Sequence, residues 1–220
     1  MQGEPTRTRI LSASIRLFGE HGYDRVSVRQ IASAVGIKES SIYNHFQGKD
    51  DILDSIMQSF IERDRAYWPS LDALRADLHT HSAEDLLRRF FYSYKREEYG
   101  FLLSAYRIMF MEQYRNDTFQ KLFLNHFLEE QRRHQNQALQ ILVDAGLLLP
   151  FDTGGISLLW TRVRLIMTMQ ACQNTGLIKL GLDHPERLPA EDAPRPEWEV
   201  CINMALRHLP EQGRDSGGKF

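Results

Sequence analysis

Apolar positions recur along this chain at the 3.6-residue period of amphipathic helices. Ile10, Leu11, Leu17 and Phe18 share one stripe, and Gly22 follows where a helix would stop. The spacing predicts a first helix from Pro5 or Thr6 to about His21. A second begins at Ser27, which stands three residues before Gln30 as in a capping box, and ends at Gly36. A third covers Glu39 to Phe46 and closes at Gln47-Gly48. A fourth runs from Lys49 to about Trp68, ahead of the helix-breaking Pro69.

The same period continues beyond Pro69. Leu71, Leu74 and Leu78 mark a two-turn helix, and another is expected from Ala83 to about Tyr99. Gly100 is expected to separate it from Phe101–Arg115. Asp117 is a candidate cap for a long helix to about Ala145, stopped by Gly146. A further long helix spans Ile156 to about Gly176, and a loop with four prolines occupies 183–196. Glu197–Leu209 is the last expected helix, and 211–220 reads as a disordered tail. Period-two alternation and Asn-Gly or Asp-Gly hairpin signals are missing, so the expected class is all-α.

Composition narrows the classes. The chain has 220 residues, 42% hydrophobic and 25% charged, which suits a folded core without staples. Two cysteines exclude a disulfide scaffold and leave a reducing, cytoplasmic setting as the expectation. The longest uncharged stretch, Leu165 to Ile178, is fourteen residues and contains Gln170, Gln173 and Asn174. A membrane span needs ~18 apolar residues, so no membrane is expected among the partners. Net charge is −2, unevenly spread: residues 1–50 hold seven Lys/Arg against five Asp/Glu, and the remainder 20 against 24. The excess of positive charge at the N-terminal end favours a segment that meets an anion.

Residues 27–46 pair two short helices across a glycine turn, the geometry of a helix-turn-helix. Such a unit holds one short helix rigidly enough to enter a DNA major groove. An ordinary corner between two helices has the same outline, so the residue types decide. Ser27, Arg29, Ser40, Ser41, Tyr43, Asn44, His45 and Lys49 lie at helix starts or opposite Ile31, Val35, Ile42 and Phe46. Hydroxyls, amides and cations are the groups that contact phosphates.

From Thr6 to Leu53 the chain resembles the DNA-binding domain of the TetR (tetracycline-repressor-like) family of bacterial regulators. The resemblance is carried by Arg9-Ile10-Leu11, Ala13, Leu17-Phe18, Gly22-Tyr23, Ser27-Val28-Arg29, Ile31-Ala32, Val35-Gly36-Ile37, Ser41-Ile42-Tyr43, His45-Phe46 and Lys49. It implies a DNA-binding domain over 1–50, joined through a shared fourth helix to a larger helical ligand-binding and dimerisation domain over 51–210. It also implies a homodimeric regulator, usually a repressor of a palindromic double-stranded operator, released by a small-molecule effector. No enzyme activity, cofactor or metal is expected, and the setting is the bacterial nucleoid. Ser27 and Arg29 would meet phosphate. Glu39, Ser40 and Ser41 lie at positions that face base edges, while Tyr43, His45 and Lys49 would hold the DNA backbone. The Glu39 carboxylate either turns away and favours the helix N-terminus, which is the preferred reading, or accepts from cytosine N4. Lys38 departs from the pattern, because many relatives cap the third helix there with Ser or Thr. The lysine loses that cap, worth ~1 kcal/mol, and gains a potential phosphate contact.

The last two helices are the expected dimer surface. Ile156, Leu158, Leu159, Val163, Leu165, Ile166 and Met167 make one apolar on more than one face. Trp198, Ile202, Ala205, Leu206 and Leu209 give the other a stripe, and packing within one chain is the alternative for this surface. For an apolar or aromatic effector the candidate lining is Tyr94, Tyr106, Phe110, His126, Trp160, Met167 and Gln170. Two metal sets compete with this reading: His126, Glu129, Glu130 and His134 on one helical face, and His79 with His81, Glu84 and Asp85. A second Glu-x-x-His helix, which a di-iron bundle needs, is missing. A helical adaptor that binds protein through 27–49 is the third class.

Overall fold

The computed structural model describes residues 5–66, 68–91, 96–188 and 196–211, and among these there are helices and turns but no strand. No helix among them is long and apolar enough to cross a membrane. The chain divides into two compact units. The first comprises Met1–Arg65, Arg96–Phe123 and Thr168–Leu188; the second comprises Ala66–Lys95, Leu124–Met167 and Pro189–Phe220.

In the first unit, α1 (Thr6–His21) buries Ile10, Ile15 and Phe18. It ends where Gly22, at φ 83°, donates its amide to the Phe18 carbonyl. The capping box expected for α2 (Val28–Val35) forms: the Gln30 amide donates to Ser27 Oγ at 3.3 Å and the Ser27 amide to Gln30 Oε1 at 2.8 Å. Gly36 closes α2 in the left-handed region at φ 73°, a conformation only glycine adopts at little cost. α3 is shorter than its pattern suggested, covering Glu39–Ile42 rather than Glu39–Phe46. Lys38 offers no side-chain cap, and the amides of His45 and Phe46 both return to the Ile42 carbonyl, tightening the chain into a turn. α4 (Lys49–Ala66) carries Asp50 and Asp51 in its first turn and Arg63 and Arg65 in its last, complementing the helix dipole at both ends.

α7 (Arg96–Glu112) and α11 (Thr175–Asp183) complete the core of this unit. Gly100 does not separate two helices. It lies inside α7, where a Cβ would stand 2.3 Å from the carbonyl carbon of Gly181 on α11. Two backbones touch at this crossing, so the glycine serves packing and not helix termination. Gly19 of α1 faces Ser104 of α7 with more room, since a Cβ there would stand at an ordinary 3.6 Å from the Ser104 Cβ. The single helix expected over Ile156–Gly176 is two helices, α10 (Thr153–Gln173) and α11. Asn174 makes the break, because its side chain accepts from the Leu177 amide at 3.0 Å and caps a new helix. Asn116, not Asp117, caps α8 (Asp117–Leu122). The long helix expected to Ala145 is there as three consecutive pieces: α8, a π-helical segment Phe123–Glu130, and α9 (Gln131–Asp144).

The second unit holds α5 (Leu71–Asp77), α6 (Ala83–Phe91), α9, most of α10, and α12 (Pro196–Leu206). The helix expected to run on to Tyr99 is described only to Phe91, and residues 92–95, with Tyr94, lie outside the described residues. A core forms around Trp160, Leu86, Leu87, Leu139, Leu142 and Ile202. The α12 stripe Trp198, Ile202 and Ala205 belongs to this core. These three side chains are buried within the chain, Leu206 and Leu209 are partly buried against the same core, and Val200 on the same helix is exposed. Of the tail, only Glu211 is described.

Replacing Gly100 with Ala places a methyl group against helix backbone that has no rotamer to yield. It should destabilise the protein by ~1–3 kcal/mol, read as a lower midpoint in thermal or urea unfolding. Ser27→Ala should cost ~1 kcal/mol in the same assay through loss of the cap.

Candidate nucleic-acid interface

The α2–α3 segment is two-faced. Ile31, Ala32, Val35, Ile42 and Phe46 are buried, and the residues between them point outward. Arg29, Lys38, Glu39, Ser40, Asn44 and His45 are exposed, as is Tyr43 at 55% of its surface. Ser41 is half-buried beside Ile42. Among the described residues no carboxylate pairs with Arg29 or Lys38, so both cations face solvent unneutralised. The Ser27 hydroxyl is engaged locally, accepting from the Gln30 amide and donating to Gln30 Oε1 at 3.0 Å. Its first duty is therefore to the helix end.

Lys49 differs from the other cations. Its ammonium donates to the Tyr23 carbonyl at 2.9 Å and sits 4.1 Å from the centre of the Tyr23 ring. The Tyr23 hydroxyl in turn donates to Asp50 Oδ1. Burial raises the tyrosine pKa above its ordinary value, and the bond to Asp50 adds to the shift. The α1–α2 loop is thus tied to the first turn of α4, with one flank of the Lys49 ammonium committed.

Two further contacts shape the face without lying on it. Arg9 Nη2 donates to the Val35 carbonyl at 2.5 Å, satisfying the end of α2. The Arg7 guanidinium lies 4.9 Å from the Phe46 ring centre and donates to Ser55 Oγ at 3.3 Å. Sequence reasoning assigned neither arginine a task. Each partner is distant along the chain, and no local spacing signals either bond.

The effector candidates fall in separate places. In the first unit, Tyr106 stacks on Phe110 with centroids 6.2 Å apart, meets Phe60 edge-on at 4.8 Å, and donates to buried Asp64 at 2.5 Å. Gln170 is exposed, on the same side of α10 as Ile166 and Met169. In the second unit, Trp160 and His126 are fully buried, and Met167 is half-buried. His126 stacks on Trp68 and has Nδ1 3.0 Å from Glu130. His134 stacks on Phe90, with Nε2 3.0 Å from the Pro69 carbonyl.

No group of three or more potential metal ligands comes together among the described residues, so neither histidine set forms a centre there. Burial pushes the Cys172 thiol up to about 12 and Cys201 to about 11, leaving both protonated and unreactive near neutrality.

Residues 10–56 match the sequence model for bacterial regulatory proteins of the tetR family. The N-terminal helix-turn-helix is similar to that of the TetR family. TetR-type relatives align with it most strongly there. The HTH-type transcriptional repressor KstR2 of Rhodococcus jostii is 39% identical over 56 residues, 26% of this chain and 28% of KstR2. The HTH-type transcriptional regulator Rv1556 of Mycobacterium tuberculosis is 28% identical over 144 residues, 64% of this chain and 65% of its own. The chain therefore spans less than two thirds of either relative. Among solved structures, Salmonella enterica GusR superposes with a TM-score of 0.59 at 16% identity, covering 95% of this chain and 97% of its own. The SmeT–triclosan complex gives 0.60 at 18%, covering 94% and 93%. Both carry the TetR-type fold along nearly the whole chain, a helix-turn-helix followed by a larger helical domain. The family is one of transcriptional regulators, not enzymes.

Burial lowers the pKa of His134 below its ordinary value, only partly opposed by the Pro69 carbonyl. The unfolded chain then takes up the proton first. The stabilisation is complete above ~6.5 and is lost as pH falls through the lowered folded value. Thermal midpoints should fall on acidification from pH 6.5 to 5, and His134→Gln should flatten that fall.

Proposed function

We propose that the protein is a ligand-responsive transcriptional repressor that binds a palindromic operator as a homodimer in the bacterial cytoplasm. One observation carries the reading. A face bearing Arg29, Lys38, Ser40, Tyr43, Asn44 and His45 is held outward by a fully apolar back, with two cations left unpaired. In this reading Arg29, Lys38 and Lys49 meet phosphates, as does Ser27 through its helix end. Glu39, Ser40 and Ser41 address base edges, and Tyr43, Asn44 and His45 brace the backbone. KstR2 and the other repressors among the relatives support the regulatory role.

The proposed dimer surface is narrower than the apolar pattern suggests. With Trp198, Ile202 and Ala205 buried in-chain, the exposed apolar residues are Leu158, Leu159, Ile166 and Met169 on α10 and Val200 on α12. Side chains of this kind clustered on one helix mark a contact surface. For the effector, an aromatic or apolar molecule, we assign Tyr106 and Phe110 first. His126, Trp160 and Met167 remain candidates of the second unit, and the exposed Gln170 is the weakest member of the set. SmeT, of the same fold, has been solved with triclosan. Release follows if the effector binds more tightly to a form in which α4 no longer holds the reading heads at operator spacing. A differential affinity of ~1.4 kcal/mol gives a tenfold effect.

Selection from random duplexes should return an inverted repeat with half-sites one helical turn, or a multiple, apart. Tyr43→Ala should weaken that duplex about tenfold. Lys38→Ala should lower the slope of log affinity against log salt by about one while leaving the unfolding midpoint unchanged. Ile166→Arg should convert the dimer to single chains in sedimentation. Indifference to every duplex at low salt would overturn the reading.

A further inference from the structure

Glu39 is out of place on a surface read as facing a polyanion. Between Ser27 and Phe46 it is the single acidic residue, and it stands exposed between the exposed Lys38 and Ser40. The sequence favoured a local use, attraction to the start of its own helix. α3 is a single turn of four residues, however, and aligns too few peptide dipoles to hold a charge there. Where acids do serve helix starts in this chain, they bond to amides. Asp51 accepts from the Gln47 amide at 2.8 Å, and Asp152 from the Gly155 amide at 2.9 Å. Among the described residues Glu39 makes no such bond, and it forms no ion pair with Lys38 or any other cation. Both carboxylate oxygens are therefore open on the outward side of α3. Phosphates repel such a group wherever no donor meets it.

We propose that Glu39 is a specificity-determining residue that fixes a cytosine in each half-site. The proposal rests on the operator-binding reading and deepens it: that reading brings Glu39 to a base edge, and the chemistry of the side chain names the base. An ionised carboxylate accepts hydrogen bonds and donates none. In the major groove guanine presents the acceptors N7 and O6, and thymine presents O4; all of these repel it. Adenine offers its N6 donor beside the acceptor N7. Cytosine alone offers a donor, N4, with no acceptor next to it on the same base. The neighbours of Glu39 do not compete for this task. The Ser40 hydroxyl gives or accepts and tolerates any edge, and Ser41 is half-buried. Lys38 offsets part of the phosphate repulsion without occupying the carboxylate oxygens. Discrimination then comes mainly from excluding three bases, more than from rewarding the fourth.

The test is selection from random duplexes by the full chain, by Glu39→Ala and by Glu39→Gln. The unaltered chain should return an inverted repeat with one C·G pair kept in each half. Exchanging that pair for any other should lower its affinity about tenfold. Glu39→Ala should accept all four pairs there about equally and keep the preference at every other position. Glu39→Gln should move the preference from cytosine to adenine, since an amide both gives and accepts and matches N6 with N7. Unfolding midpoints should match the unaltered chain, so a changed preference at one position reports reading and not folding. Identical preferences in all three proteins, a uniform loss at every position, or control by Glu39 of a position that is not cytosine would overturn the proposal. An inverted repeat read alike by all three removes this proposal and leaves the operator-binding reading standing. Failure of the unaltered chain to bind any duplex removes both.

Discussion

The arrangement of the N-terminal face depends on the burial of two side chains, Ile42 and Phe46, on either side of an exposed tripeptide. Ile42 is completely buried and Phe46 nearly so. With both ends pinned, Tyr43, Asn44 and His45 have nowhere to go but outward. The cost of ordering three exposed polar residues is offset by the apolar contacts of their neighbours. Arg7 reinforces one of these pins from outside, over the Phe46 ring, and Arg9 holds the end of α2 through the Val35 carbonyl. A polar surface of fixed shape is what a rigid ligand such as a duplex requires. A four-residue helix could not supply that rigidity by itself.

Much of this was legible in the sequence wherever the cause was local. The capping box at Ser27 and Gln30, the stops at Gly22 and Gly36, and the start of α4 all follow from neighbours within four residues. Gly100 misled for the opposite reason. Its role is a contact with Gly181, eighty-one positions along the chain, and a helix-breaking propensity of ~1 kcal/mol is easily outweighed when two backbones must touch. Asn174 was visible as a residue but not as a cap, because it interrupts an uncharged stretch that reads as one helix. The α12 stripe posed a different difficulty. Periodicity reports which face is apolar and is silent on whether the partner is the same chain or another.

The candidate site divides along the same line. The polar face of α2–α3 was readable because exposure there follows from helical phase. The effector residues were chosen by chemistry alone, and the two units hold them in different settings: a Tyr106–Phe110 stack in one, a buried His126 and Trp160 in the other.

The bond from Lys49 to the Tyr23 carbonyl, with Tyr23 bonded in turn to Asp50, fastens the loop before α2 to the start of α4. Any tilt of α4 would then carry Ser27, Arg29 and the Tyr43–His45 turn along as one block instead of shearing one past another. In the proposed dimer, such a tilt changes the distance between the two N-terminal faces and not the shape of either. The preference for one half-site sequence would survive in the released form, and only the fit to the paired sites would be lost.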